Sequence, residues 1–175
     1  MSININQISS MFKIIFILNY SVKEEAKNFR PLCQLAATIV HIRKYAKIWN
    51  IASDKIAVCG FSAGGHLAAS VGTLFNEQEF LAVYGRSKHI RPDAMILGYP
   101  VITADDFAHI SSIEHVSGAK AGSKEYEWFG LDRRVDEETP PTFLWHTAAD
   151  TNVPVENSLH FARALSKAEI PFELH

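Results

Sequence analysis

The chain has 175 residues, 47% of them hydrophobic and 21% charged, with a formal net charge of −2. That length and balance suit one domain able to bury a real core, and the absence of a basic stripe argues against a nucleic-acid partner. The two cysteines, Cys33 and Cys59, are spaced for neither a disulfide framework nor a metal site. Cys59 sits in an apolar run and reads as a buried, reduced thiol, which suits a reducing compartment, the cytoplasm.

In chain order, residues 1–11 are expected to be poorly ordered. "MFKIIFIL" is too short to span a membrane and no small-residue cleavage site follows it, so residues 12–19 read as a buried strand. Pro31 signals a helix start, after which Leu32, Leu35, Ala36, Ile39, Ile42, Ala46 and Trp49 recur at helical spacing. "SDK" at 53–55 is a turn, "IAVCGF" at 56–61 a second buried strand, and 63–75 a helix rich in small residues. "DAMILGYP" at 93–100 predicts a third strand. From 101 to 139 the pattern weakens into an irregular excursion over the sheet edge, where Asp105 and Asp106 read as solvated caps.

"PPTFLWHTA" at 140–148 predicts a fourth strand. A helix follows over 154–168, with Pro154 at its first position and Val155, Leu159, Ala162 and Leu165 facing inward. "PFELH" begins a fifth strand. Strands alternating with helices predict a single α/β domain, a mostly parallel sheet with helices on both faces. Ligands of such sheets bind at the carboxyl ends of the strands.

One stretch carries chemistry. "GFSAG", Gly60 to Gly64, matches the nucleophile-elbow pattern G-x-S-x-G in its required setting of strand, turn and helix. A sharp turn lifts the serine hydroxyl clear of the sheet, and glycines flank it because side chains would clash. Ser62 is therefore the candidate nucleophile. The N–H groups of Ala63 and Gly64 at the helix start are candidate oxyanion and substrate-binding donors. The competing reading is a tight turn in which Ser62 merely caps a helix. His66, inside that helix, points along it and reads as a packing residue.

"GFSAGGHLAAS" together with "PPTFLWHTAADTNVPVENSLHFARAL", supported by "LNYSV" and "LGYPV", resembles the serine esterases of the α/β-hydrolase superfamily, of the acetyl-xylan esterase-like or lipase/esterase type. The resemblance covers residues 12–175. It implies an α/β-hydrolase fold and the triad order Ser, Asp, His. Asp150 then matches the acid that orients the imidazole and stabilises the imidazolium. The remaining candidate for the base is His175, because His160 reads as a helix-surface residue.

The resemblance also exposes departures. The esterases carry their catalytic histidine in a loop beyond the last strand, and a glycine-rich "HGG" loop before the strand resembling "FKIIFILNY". Neither is present in this sequence, nor is a strand expected between 12–19 and 56–61. The expectation is thus a partial domain that looks truncated at both ends, weak or inactive as it stands. The function implied is a carboxylesterase acting on small acyl esters, acetylated sugars among them, through Ser62. The alternatives are a non-catalytic remnant of the fold and a peptidase of the same superfamily. No cofactor, metal or membrane partner is expected, the partner being a small-molecule ester; the oligomeric state is left open.

Overall fold

A computed structural model of the chain describes residues 14–85 and 89–175, so the expectation for 1–11 lies outside the described residues. Among the described residues, four strands, β1 (Ala57–Phe61), β2 (Ala94–Gly98), β3 (Thr142–Trp145) and β4 (Phe172–Leu174), form one parallel sheet in the order β1-β2-β3-β4. The register aligns Val58, Met95, Thr142 and Phe172 in one row and Gly60, Leu97, Leu144 and Leu174 in another. Because side chains alternate along a strand, both rows share one face.

That face is the core. Helices α1 (Arg30–Tyr45), α2 (Ala63–Thr73), α3 (Gln78–Tyr84) and α6 (Glu156–Lys167) bring Ile39, Val71, Phe80 and Phe161 onto Val58, Leu97 and Leu144 in one buried cluster. Pro31 sits in the first turn of α1, where a missing N–H breaks no helical bond. The α/β class and the parallel sheet are those expected. The opposite face differs from a doubly covered sheet: Phe61, Phe143 and Trp145 are exposed there among the described residues.

This one-sided covering corrects a reading of the sequence. Cys59 is exposed rather than buried, because it belongs to the row Cys59, Ile96, Phe143 and Glu173 on the bare face. Continuous apolar runs ordinarily mark strands covered on both sides, which is why "IAVCGF" reads as buried. The strand expected at 12–19 is corrected as well. Its described part, 14–19, is extended but unpaired, with Ile15 77% and Ile17 87% exposed. A strand is stable as part of a ladder, and no described strand runs beside this one. Residues 12–13 fall outside the described set.

Two details of the helical regions also differ. Leu159 is 48% exposed, and the inward stripe of α6 runs through Asn157, Ser158, Phe161, Ala162 and Leu165. The segment 101–139 is irregular only in part. It holds α4 (Ile110–Ser117), α5 (Lys124–Glu127) and a 3-10 turn (Leu131–Arg133). Its isolated aromatics Tyr126 and Phe129 bury against Val101, Ala104, Ile113 and Val153 in a second core.

At the amino edge of the sheet, Arg43 ties α1 to the loops that lead into β1 and β2. Its side chain is 12% exposed and pairs with Asp93 Oδ2 at 3.0 Å. The guanidinium also donates to the carbonyls of His89 (3.0 Å), Arg91 (2.6 Å) and Ser53. Asp93 in turn accepts the Ile56 N–H at 2.8 Å.

Candidate active site

β1 ends at Phe61 and α2 begins at Ala63, so the whole reversal falls on Ser62. Its backbone sits at φ 52° and ψ −122°, a region that L residues avoid. Three hydrogen bonds hold it there. The Ser62 N–H donates to Gly98 O at 3.1 Å, continuing the sheet, while the Ser62 carbonyl accepts from His66 N (3.1 Å) and Val101 N (3.2 Å). One residue thus serves the ladder and the helix at once, and only the strained conformation satisfies both. The Ser62 side chain makes no capping bond, so the competing role as a helix cap is unfilled.

The neighbouring glycines are required by packing at two positions. A Cβ on Gly60 would collide with the carbonyl oxygen of Gly64, and one on Gly65 would come 2.7 Å from Pro100 Cβ. Gly64 is different, since a Cβ there would meet only the Tyr20 hydroxyl, at 3.4 Å. The first N–H groups of α2, on Ala63 and Gly64, have no acceptor within the helix. Ala63 is exposed and Gly64 half-buried, so both are open to the carboxyl edge.

His66 is buried beneath this turn. Its Nε2 lies 3.2 Å from the Phe129 carbonyl, and Ser70 Oγ lies 3.3 Å from its Nδ1. Desolvation by burial drives its pKa down from 6.5 to about 4, against the opposing pull of the Phe129 carbonyl. It is a neutral residue that fastens α2 to the second core.

Asp150 follows β3, two strands away from Ser62 on the same edge of the parallel sheet. Its Oδ1 accepts the N–H groups of Asn152 (2.9 Å) and Val153 (3.0 Å), and these bonds hold its pKa below the ordinary carboxylate value. The loop is fixed from below by His146. That imidazole is fully buried; Nε2–H donates to Val153 O at 2.9 Å, which leaves Nδ1 to accept the Ser158 hydroxyl at 2.8 Å. Nε2 also stands 3.7 Å from Asp150 Oδ2. The search for a histidine after Asp150 passes over this one, four residues before it; the spacing at the end of a strand is the signal that could have found it.

His175 is turned elsewhere. Its ring stacks on Phe143 of the bare face at 5.3 Å and its Nε2 lies 3.4 Å from Glu173 Oε2. The structure therefore brings Ser62, Ala63, Gly64 and Asp150 to one edge and aims His175 at its own strand neighbours. Beside α2 lies a cavity of about 310 Å³, walled by Tyr20, Phe29, Ala63, Leu67, His115 and Phe129 among others. Burial raises the pKa of the Tyr20 phenol.

A strained serine between a parallel strand and a helix, with an acid after the next strand but one, is matched by known proteins. The BD-FAE family model matches residues 2–165. The chain belongs to the BD-FAE family. Its solved and curated relatives include esterases and hydrolases, and its fold is that of the α/β-hydrolase superfamily.

One solved structure, an acetyl ester-xyloside bifunctional hydrolase from Caldicellulosiruptor lactoaceticus, is 42% identical with a TM-score of 0.77, over 90% of this chain and 58% of that one. Endo-1,4-beta-xylanase B of Butyrivibrio fibrisolvens is 39% identical over 82% of this chain and 22% of its own length. An acetylxylan esterase of Xylanibacter ruminicola is 29% identical over 87% of this chain and 30% of its own. The chain thus spans less than a third of these curated relatives and somewhat over half of the solved hydrolase. Among the described residues, no helix is long and apolar enough to cross a membrane.

Proposed function

We propose that this chain is the nucleophile-bearing part of a carboxylesterase acting on small acyl esters, acetylated sugars among them. One observation carries the reading: the single residue joining β1 to α2 is a serine at φ 52° and ψ −122° with no capping role. Ser62 Oγ attacks the acyl carbon. The developing oxyanion is received by the N–H groups of Ala63 and Gly64 at the helix start. Collapse of the tetrahedral intermediate expels the alcohol, leaves the acyl group on Ser62, and water then hydrolyses it. Asp150, kept ionised by its two backbone donors, is the acid for an imidazole base, and His175, the candidate for that base, has to leave Glu173 and Phe143 to take the Ser62 proton. The names of the acetylxylan esterase and the acetyl ester-xyloside hydrolase support the substrate class.

A second reading, a fold that keeps the elbow without turnover, is favoured by the state of the candidate bases. Both ring nitrogens of His146 are bonded, and His175 lies against Phe143 and Glu173. The two readings separate with p-nitrophenyl acetate. Release beyond one equivalent, lost in Ser62→Ala, supports the hydrolase. Release that stops at one equivalent, with a single acetyl group mapped to Ser62, keeps the nucleophile and overturns the second reading. Release no greater than that of Ser62→Ala, with no acetyl group on Ser62, supports the second reading and overturns the first.

A further inference from the structure

Away from the elbow, three segments distant in sequence converge on Asp105, Asp132 and His160. One ligand atom from each lies within 4.8 Å of the others. Asp105 lies in the loop after β2, Asp132 in the 3-10 turn, and His160 on α6. His160 Nδ1 stands 3.5 Å from Asp105 Oδ2, with side-chain exposures of 35% and 27%. The other oxygen of Asp105 accepts the Phe107 N–H at 3.0 Å, and the Phe107 ring meets His160 edge-on at 5.6 Å.

Two orphaned oxygens point to something missing from this cluster. Asp132 Oδ1 is buried without a hydrogen-bond partner. The Thr103 hydroxyl belongs to a residue that is 0% exposed, is turned to the Asp105 carboxylate, and still makes no well-formed hydrogen bond. The Thr103 backbone is fixed beside the cluster, because its N–H and that of Ile102 are held by Asn157 Oδ1 at 3.0 and 2.8 Å. Buried oxygens left unsatisfied are costly, and here they face two carboxylates. The countercharges nearby are His160 and Arg133, and Arg133 is exposed.

We propose that Asp105, Asp132 and His160, with the Thr103 hydroxyl beside them, form a binding site for one divalent first-row transition metal ion of the zinc class. The mixed donor set of one imidazole and two carboxylates selects such an ion over calcium or magnesium, which take oxygen alone. Atoms bonded to one ion at about 2.1 Å lie no more than about 4.2 Å apart, so the donors need close by only about an ångström. The ion links the β2 loop, the 3-10 turn and α6. These are the segments that wall the carboxyl edge, since Val101 bonds Ser62 O and α6 follows the Asp150 loop. The site is separate from the proposed ester chemistry and does not depend on it.

The test is calorimetric titration of chelator-treated protein with zinc, with thermal unfolding measured in parallel. The expected result is one equivalent bound with a Kd on the order of 10 µM or tighter, and a raised Tm. Asp132→Asn and His160→Gln are each expected to weaken binding at least tenfold. Asp132→Asn keeps the apo fold, because it removes a buried carboxylate that lacks a partner; if circular dichroism shows either variant unfolded, Asp105→Asn takes its place. No saturable zinc binding, or equal binding in the folded variants, overturns the proposal.

Discussion

The two edges of this sheet are built on opposite terms. At the amino edge, Arg43 satisfies Asp93 and three backbone carbonyls from a well-buried position. At the carboxyl edge, Ser62 occupies an avoided backbone region, Tyr99 just after the adjacent strand also has a positive φ of 35°, and first-turn N–H groups of α2 are left open. The amino edge spends its polar groups on holding the chain together. The carboxyl edge leaves donors and a hydroxyl uncommitted, and that is the condition for acting on something else.

Arg43→Ala attacks the holding edge and carries the largest expected effect. It leaves Asp93 without its charge partner and removes the guanidinium donor from the carbonyls of Ser53, His89 and Arg91. A loss of about 3–4 kcal/mol in urea unfolding is expected, with reactivity at Ser62 unchanged in the folded fraction. A loss under about 1 kcal/mol would reduce the clamp to an ordinary surface pair.

His66 comes next, and it sharpens the contrast through pH. Its folded pKa is about 4 against 6.5 unfolded. Between those values the unfolded chain binds the proton and the folded chain does not, so stability falls as pH drops from about 6.5 towards 4. The expected loss across that window is about 3 kcal/mol. A His66→Gln chain should lose most of this pH dependence; an unchanged slope would place the acid sensitivity elsewhere.

Relief of strain at the working edge is smaller. Ser62→Gly should raise stability by about 1–2 kcal/mol, because glycine adopts φ 52° without penalty, whereas Ser62→Ala should not. Equal effects of the two substitutions would remove the case for stored strain. The smallest effect is at Asp150. Its depressed pKa adds stability that is present above the unfolded carboxylate value and lost as pH falls below about 4. Asp150→Asn should flatten only that acid limb, and a change confined to pH above 6 would contradict the assignment.

Much of the working edge is legible in the sequence because it is local. "GFSAG" between an apolar run and a small-residue helix specifies the elbow, and Gly60 and Gly65 prove to be the positions where a side chain cannot fit. What is not legible is decided by distant contacts. Residues 14–19 have the composition of a strand, but pairing depends on a neighbour that their own pattern cannot report. Cys59 and Leu159 read as buried because periodicity marks a face without saying what covers it. His146 is passed over by a rule of chain order, although it fixes the Asp150 loop through Val153 and Ser158. Asp105, Asp132 and His160 share no local spacing at all and meet only when the 101–139 segment folds against α6.

The central claim is that Ser62 is a nucleophile. Prolonged exposure of the chain to an excess of a fluorophosphonate probe, followed by intact mass and peptide mapping, tests it most directly. The account predicts slow labelling of one equivalent confined to Ser62, absent from both Ser62→Ala and Ser62→Gly. Labelling that persists in those variants or maps to another residue, or no adduct on Ser62, would contradict it.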